Sequence, residues 1–145
     1  MNKVKIWSRL AQRAETQVSN ALVQVVKARR RVEELASSEA RLHELHADYV
    51  LRLRKVESES HAMSQNMMCR RYIAHVESLL QKLAETQASA RGVLVQAREG
   101  QRTAELECAK MQHLAERAQA QVLHARKVQE QSQLDKLAIT RFNLR

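Results

Sequence analysis

The sequence predicts an all-α fold: two long helices forming an antiparallel coiled-coil hairpin, the C-terminal helix the longer. Three observations carry that expectation. Proline is absent and glycine occurs twice in 145 residues, where ordinary usage would supply roughly 7 and roughly 10, so few turns are encoded. Two long runs of apolar residues at heptad spacing fill the chain. A single short stretch between them lacks any apolar period.

The first run places Val4, Trp7, Ala11, Ala14, Val18, Ala21, Val25, Ala28, Val32, Leu35, Glu39, Leu42, His46, Tyr49, Leu53 and Val56 at alternating a and d positions, fourteen of the sixteen apolar. A repeat of this length predicts a coiled-coil helix over about residues 3–57. The stretch "ESESHAMSQN" then breaks the pattern and carries the cap-type residues Ser64 and Asn66, which predicts the turn at about 58–66. From Ile73 the repeat resumes through Val76, Leu80, Leu83, Gln87, Ala90, Leu94, Ala97, Gln101, Ala104, Cys108, Met111, Ala115, Ala118, Val122 and Ala125, again fourteen of sixteen apolar. The second helix is expected over about 67–142. The whole chain, 1–145, reads as one hairpin, because two helices joined by about ten residues most simply fold back on each other.

With a opposite d, two registers satisfy the phases. One sets Leu53 on Val76, Leu35 on Leu94, Val25 on Ala104 and Trp7 on Val122; the other slides by one heptad and sets Val25 on Ala97. Alanine recurs on both seams, from Ala11 to Ala28 and from Ala90 to Ala125, so the helices can approach closely while burying little area per layer. Gly92 and Gly100 are expected on the outer face, each costing about 1 kcal/mol relative to alanine and favouring local bending. Either register exhausts the first helix before about residue 126, which leaves roughly 20 residues, ~30 Å of helix, without an intramolecular partner. In that overhang Leu134, Leu137, Ala138 and Phe142 form one apolar stripe with Lys136, Arg141 and Arg145 around it.

Charge falls at the same end. Of a net +9, +7 comes from Lys3, Lys5, Arg9 and Arg13 with no acid before residue 15, and from Arg126, Lys127, Lys136, Arg141 and Arg145 against Glu130 and Asp135. An apolar stripe inside a single-sign field reads as a plug for an acidic or polar socket in a partner. The intervening stretch is nearly balanced: its burst Lys27 to Arg31 is answered by Glu33 and Glu34. A coiled coil binding nucleic acid would need a continuous phosphate-facing stripe instead.

Nothing in the sequence builds a catalytic site. His43 and His46 lack a third ligand at metal spacing; His46, Glu39, Gln87 and Gln101 read as polar seam residues that fix register at a cost in stability. Cys108 sits on the seam as a small apolar residue, and Cys69 lies too far along the same helix to bridge to it. Met63, Met67 and Met68 gather at the turn end, as gap fillers or as an adaptable contact surface, flanked by Tyr49 and Tyr72. No cofactor is expected. The basic N-terminus has no continuous apolar core, which excludes a signal peptide and a transmembrane span.

These features resemble the FliJ family of the bacterial flagellar type III export apparatus, through "DY" at Asp48 and Tyr49, "RRYIAHVESLLQKL" opening the second helix and the terminal "LDKLAITRF". The resemblance implies a non-enzymatic motility protein similar in fold to the central stalk of rotary ATPases. It implies that the end carrying both termini enters the hexameric export ATPase, through Lys3, Lys5, Trp7, Arg9, Arg13, Leu134, Lys136, Leu137, Ala138, Arg141 and Phe142. It also implies contact with the cytoplasmic linker of the export-gate membrane protein through Tyr49, Leu53, Ile73, Val76 and Leu80, with Leu53 standing where the family commonly has an aromatic. Escort of export chaperones and a cytoplasmic place, peripheral at the inner membrane through partners, follow from the same resemblance. The equivalent stalk of a virulence injectisome is the near alternative.

Overall fold

The computed structural model describes residues 2–59 and 63–144. Two helices, α1 (Asn2–Ser58) and α2 (Met63–Asn143), pack against each other as a helical hairpin with the second the longer, and no strand occurs among the described residues. Every a and d position predicted in α1 is buried or half-buried, as is every one in α2 up to Val122. The seam also reaches back to Asn66 and Cys69, one heptad before Ile73, both half-buried.

α2 thus starts earlier than the expected 67. Residues 63–66 contain neither glycine nor proline, and two bonds reward their helical state. Arg70 Nε donates to Asn66 Oδ1 at 2.9 Å, one turn back, and Arg70 also meets the Glu57 carboxylate at 3.2 Å. At the end of α1, Ser58 Oγ donates to the Lys55 carbonyl at 2.9 Å and the Glu59 amide donates to that same carbonyl at 3.1 Å. These bonds occupy a group that a helix C-terminus leaves open. The rest of the expected turn, residues 60–62, lies outside the described residues.

The chain divides into two compact units. In Leu22–Glu99, Val25, Ala28 and Leu94 form one buried cluster, with Val32 and Ala97 packed on it. Leu35 is equally buried yet lies outside that cluster, so the register that set Leu35 on Leu94 is not the one adopted; Ala28 beside Leu94 belongs to the alternative. The alternative does not hold strictly either. Glu39, an a residue, bonds Gln87, also an a residue, whereas strict a-to-d packing would give it Ala90 or Leu83. Side chains therefore cross this seam about half a layer from the a-to-d pattern.

In the other unit, Met1–Ala21 with Gly100–Arg145, Ala14, Cys108 and Ala118 are buried. Val4 and Trp7 line a groove with Leu114, Ala118, Val122 and Ala125, which sets the start of α1 beside the stretch ending at residue 125. α2 runs through Gly92 and Gly100 without a break, and an added Cβ at either would meet nothing within 4 Å.

Candidate partner-binding ends

From Leu123 to Leu144 every residue is exposed. The overhang expected from the heptads is therefore present, and its helical state rests on local bonds such as Thr140 Oγ1 to the Lys136 carbonyl at 2.8 Å and Gln131 Nε2 to Asp135 at 3.2 Å. Leu134, Leu137, Ala138 and Phe142 line one shallow groove with Arg141, and Phe142 is 79% exposed. The stripe is brought together as the spacing predicts. A second apolar face beside it, Val128 and Ile139 between Lys127, Asp135 and Lys136, escaped the sequence reading. Its signal was present in the eleven-residue spacing of Val128 and Ile139, three helical turns apart.

Beside the groove at the start of α1, Lys3, Lys5, Arg9 and Arg13 are exposed and enter no ion pair among the described residues. Trp7 is half-buried and lines the seam groove with Val122. Lys136 and Arg141 are exposed; Arg145 lies outside the described residues. The apolar strip is thus bordered by cations.

At the turn end of Leu22–Glu99 the expected patch is more buried than exposed. Val76 is 2% exposed and faces α1, and Leu53, Ile73 and Leu80 are half-buried on the seam. Val76 is therefore part of the seam. The exposed surface comes from other residues. Tyr49 and Tyr72 stack with centroids 5.2 Å apart and planes 11° from parallel, and the Arg52 guanidinium lies 5.6 Å over the Tyr49 ring. Aromatic and cation contacts of this kind fix the rings as a rigid platform. Met63, Met67 and Met68 are all exposed, which favours the adaptable contact surface over gap filling. Tyr72, 46% exposed, belongs to this surface on geometry; at a g position it carried only its residue type as a signal.

The histidines complete the polar seam. His46 Nε2 lies 3.1 Å from Glu77 Oε1, and His43 Nε2 lies 3.5 Å from Glu39 Oε1. Gln87 Nε2 donates to Glu39 Oε2 at 2.6 Å, and this bond above all holds the Glu39 carboxyl below its usual range, against the opposing effect of desolvation and with help from His43. No group of three or more potential metal ligands forms among the described residues. Cys69 and Cys108 are free, the first half-buried and the second buried. No helix among the described residues is long and apolar enough to cross a membrane.

Compared with known proteins, the chain matches the family model described as Flagellar FliJ protein over residues 8–145. No curated protein and no solved structure matches it.

Proposed function

The chain belongs to the FliJ family, whose part in flagellar type III export is that of a stalk and escort rather than an enzyme, and from that premise we propose that its two-terminus end inserts into the hexameric export ATPase. The observation that carries this reading is the continuously exposed run from Leu123 to Leu144, with its apolar groove at Leu134, Leu137, Ala138 and Phe142. Burying those side chains in a ring's central pore would remove them from water at roughly 25 cal/mol per Å² of apolar surface. Lys3, Lys5, Arg9, Arg13, Lys136 and Arg141 supply orientation and on-rate through their field. Trp7 acts by holding the start of α1 against α2 beside them.

At the other end, the stacked Tyr49 and Tyr72 with the exposed methionines form the surface offered to the cytoplasmic linker of the export gate. Leu53, Ile73, Val76 and Leu80 hold that platform from within the seam. Methionine-rich surfaces repack against different partners, which suits escort of export chaperones as well. Membrane association is then peripheral, through the gate.

Deleting residues 127–145 tests the reading. Residues 127–144 are all exposed, so the thermal midpoint should move by less than about 2 °C, while stimulation of the ring ATPase should fall at least tenfold. Replacing Lys136 and Arg141 by glutamine should leave part of the stimulation and make it less salt-sensitive. If the truncated chain stimulates the ATPase normally, the pore-insertion reading fails.

A further inference from the structure

Along one edge of the seam the Glu57 carboxylate accepts a hydrogen bond from the Arg70 guanidinium at 3.2 Å. Neither heptad run contains an insertion, so that meeting of edge positions recurs at every heptad. Four heptads back from Glu57 stands Arg29, and four heptads on from Arg70 stands Arg98. The edge that holds an acid against a base at Glu57 and Arg70 carries, at this register, an arginine on each helix here. One heptad nearer the turn, Ala36 meets Arg91. Arg29, Arg91 and Arg98 are all exposed; Arg91 lies near enough to the Glu39 carboxylate to favour its ionised form, while no ion pair among the described residues engages Arg29 or Arg98.

Aliphatic side chains share this edge. Leu22, Val26 and Arg29 follow at i, i+4 and i+7 on α1, and Arg91, Val95 and Arg98 follow at the same spacing on α2, so each set lies on one helical face. Leu22 is 49% exposed, Val26 36% and Val95 51%. Two acids share these faces, Glu33 one turn beyond Arg29 on α1 and Glu105 two turns beyond Arg98 on α2. The two faces flank a groove about 20 Å long at the ordinary helical rise, basic at its centre and apolar on both sides of it.

We propose that this groove receives a third helix, an amphipathic and acidic one belonging to a partner protein. Aliphatic positions at helical spacing suit the apolar stripe of another helix. The facing arginines repel each other in the free chain and would be neutralised by carboxylates flanking that stripe. Duplex nucleic acid fits less well, because aliphatic side chains interrupt the cations and contribute nothing to phosphate binding. The site lies within Leu22–Glu99 and owes nothing to the tail.

The test uses the full-length chain and a labelled synthetic helix of about 21 residues with a leucine stripe flanked by glutamates, followed by fluorescence anisotropy; its control carries lysines in place of the glutamates. The acidic helix should bind and the basic one should not. Replacing Arg29→Glu and Arg98→Glu together should weaken binding at least tenfold with helicity retained, and Val26→Ser with Val95→Ser should weaken it several-fold. Arg29→Glu alone should raise the thermal midpoint, since it recreates with Arg98 the pairing seen at Glu57 and Arg70. Removal of residues 127–145 should leave binding unchanged, which separates this site from the pore-insertion reading. The proposal is overturned by equal binding of both helices, by binding indifferent to the arginine reversal, or by a fall in midpoint for Arg29→Glu. Tighter binding of a 20-base-pair DNA duplex or of anionic vesicles at the same arginines would overturn it equally.

Discussion

Glu39 and Gln87, two polar residues that interrupt the apolar seam on opposite helices, are joined by a hydrogen bond of 2.6 Å from the Gln87 amide to the Glu39 carboxylate. Each satisfies the other, so two separate costs to the coil become one paired layer. A partly buried polar pair of this kind also penalises a slip of one heptad, which would set Glu39 against Leu80 or Leu94.

That pair makes stability depend on pH. The folded-state pKa of Glu39 is lowered, chiefly by the Gln87 bond, so its contribution is fully present above the glutamate's unfolded pKa and disappears as pH falls through the lower folded value. The thermal midpoint, followed by circular dichroism from pH 6 to pH 3, should drop more steeply for the native chain than for Gln87→Leu. Parallel curves would mean that the bond contributes nothing.

Position relative to the seam should dominate the cost of truncating side chains. Leu94 is buried in the cluster with Val25 and Ala28, while its neighbour Val93 is 58% exposed. Leu94→Ala should cost about 2 kcal/mol and Val93→Ala less than about 0.5 kcal/mol, measured by urea unfolding.

The two glycines are sites for stabilisation. An added methyl at Gly92 or Gly100 meets nothing within 4 Å, and alanine gains about 1 kcal/mol over glycine inside a helix. Gly92→Ala with Gly100→Ala should raise the urea midpoint without changing helicity. A loss of export activity in that stabilised variant would show that local flexibility of α2 has a use.

At the turn end, Tyr72→Ala removes an exposed ring stacked on Tyr49, whereas Val76→Ala opens the buried seam. Calorimetric titration with the export-gate linker should show Tyr72→Ala weakening binding about tenfold with an unchanged thermal midpoint. Val76→Ala should lower the midpoint first.

Much of the fold was legible because a heptad repeat states both the secondary structure and the face that is buried. Val25, Ala28, Leu94 and Cys108 could be placed on the seam from spacing alone. The start of α2 was less legible, since Ser64 and Asn66 are favoured at helix caps as well as tolerated within a first turn. Their helical state depends on Arg70 reaching Asn66 one turn back and Glu57 on the other helix. For the partner-binding ends, the stripe from Leu134 to Phe142 followed from periodicity, and its exposure from simple exhaustion of α1. At the other end the resemblance marked Val76 for a partner, but burial assigns it to the seam and leaves Tyr72 and the methionines outside.

The sequence by itself determined that there are two helices, which stripe of each is apolar, and that cations crowd toward both termini. Those properties are local or periodic, and a chain carries them whatever it packs against. Only the tertiary structure decided the register. Sliding one helix by a heptad exchanges valine for alanine and leaves the apolar count almost unchanged, so the heptads are nearly degenerate. What separates the alternatives is the meeting of particular side chains: Ala28 with Leu94, Glu39 with Gln87, Glu57 with Arg70. Arg29 and Arg98, sixty-nine positions apart, share an edge only through such a register, which no local pattern contains.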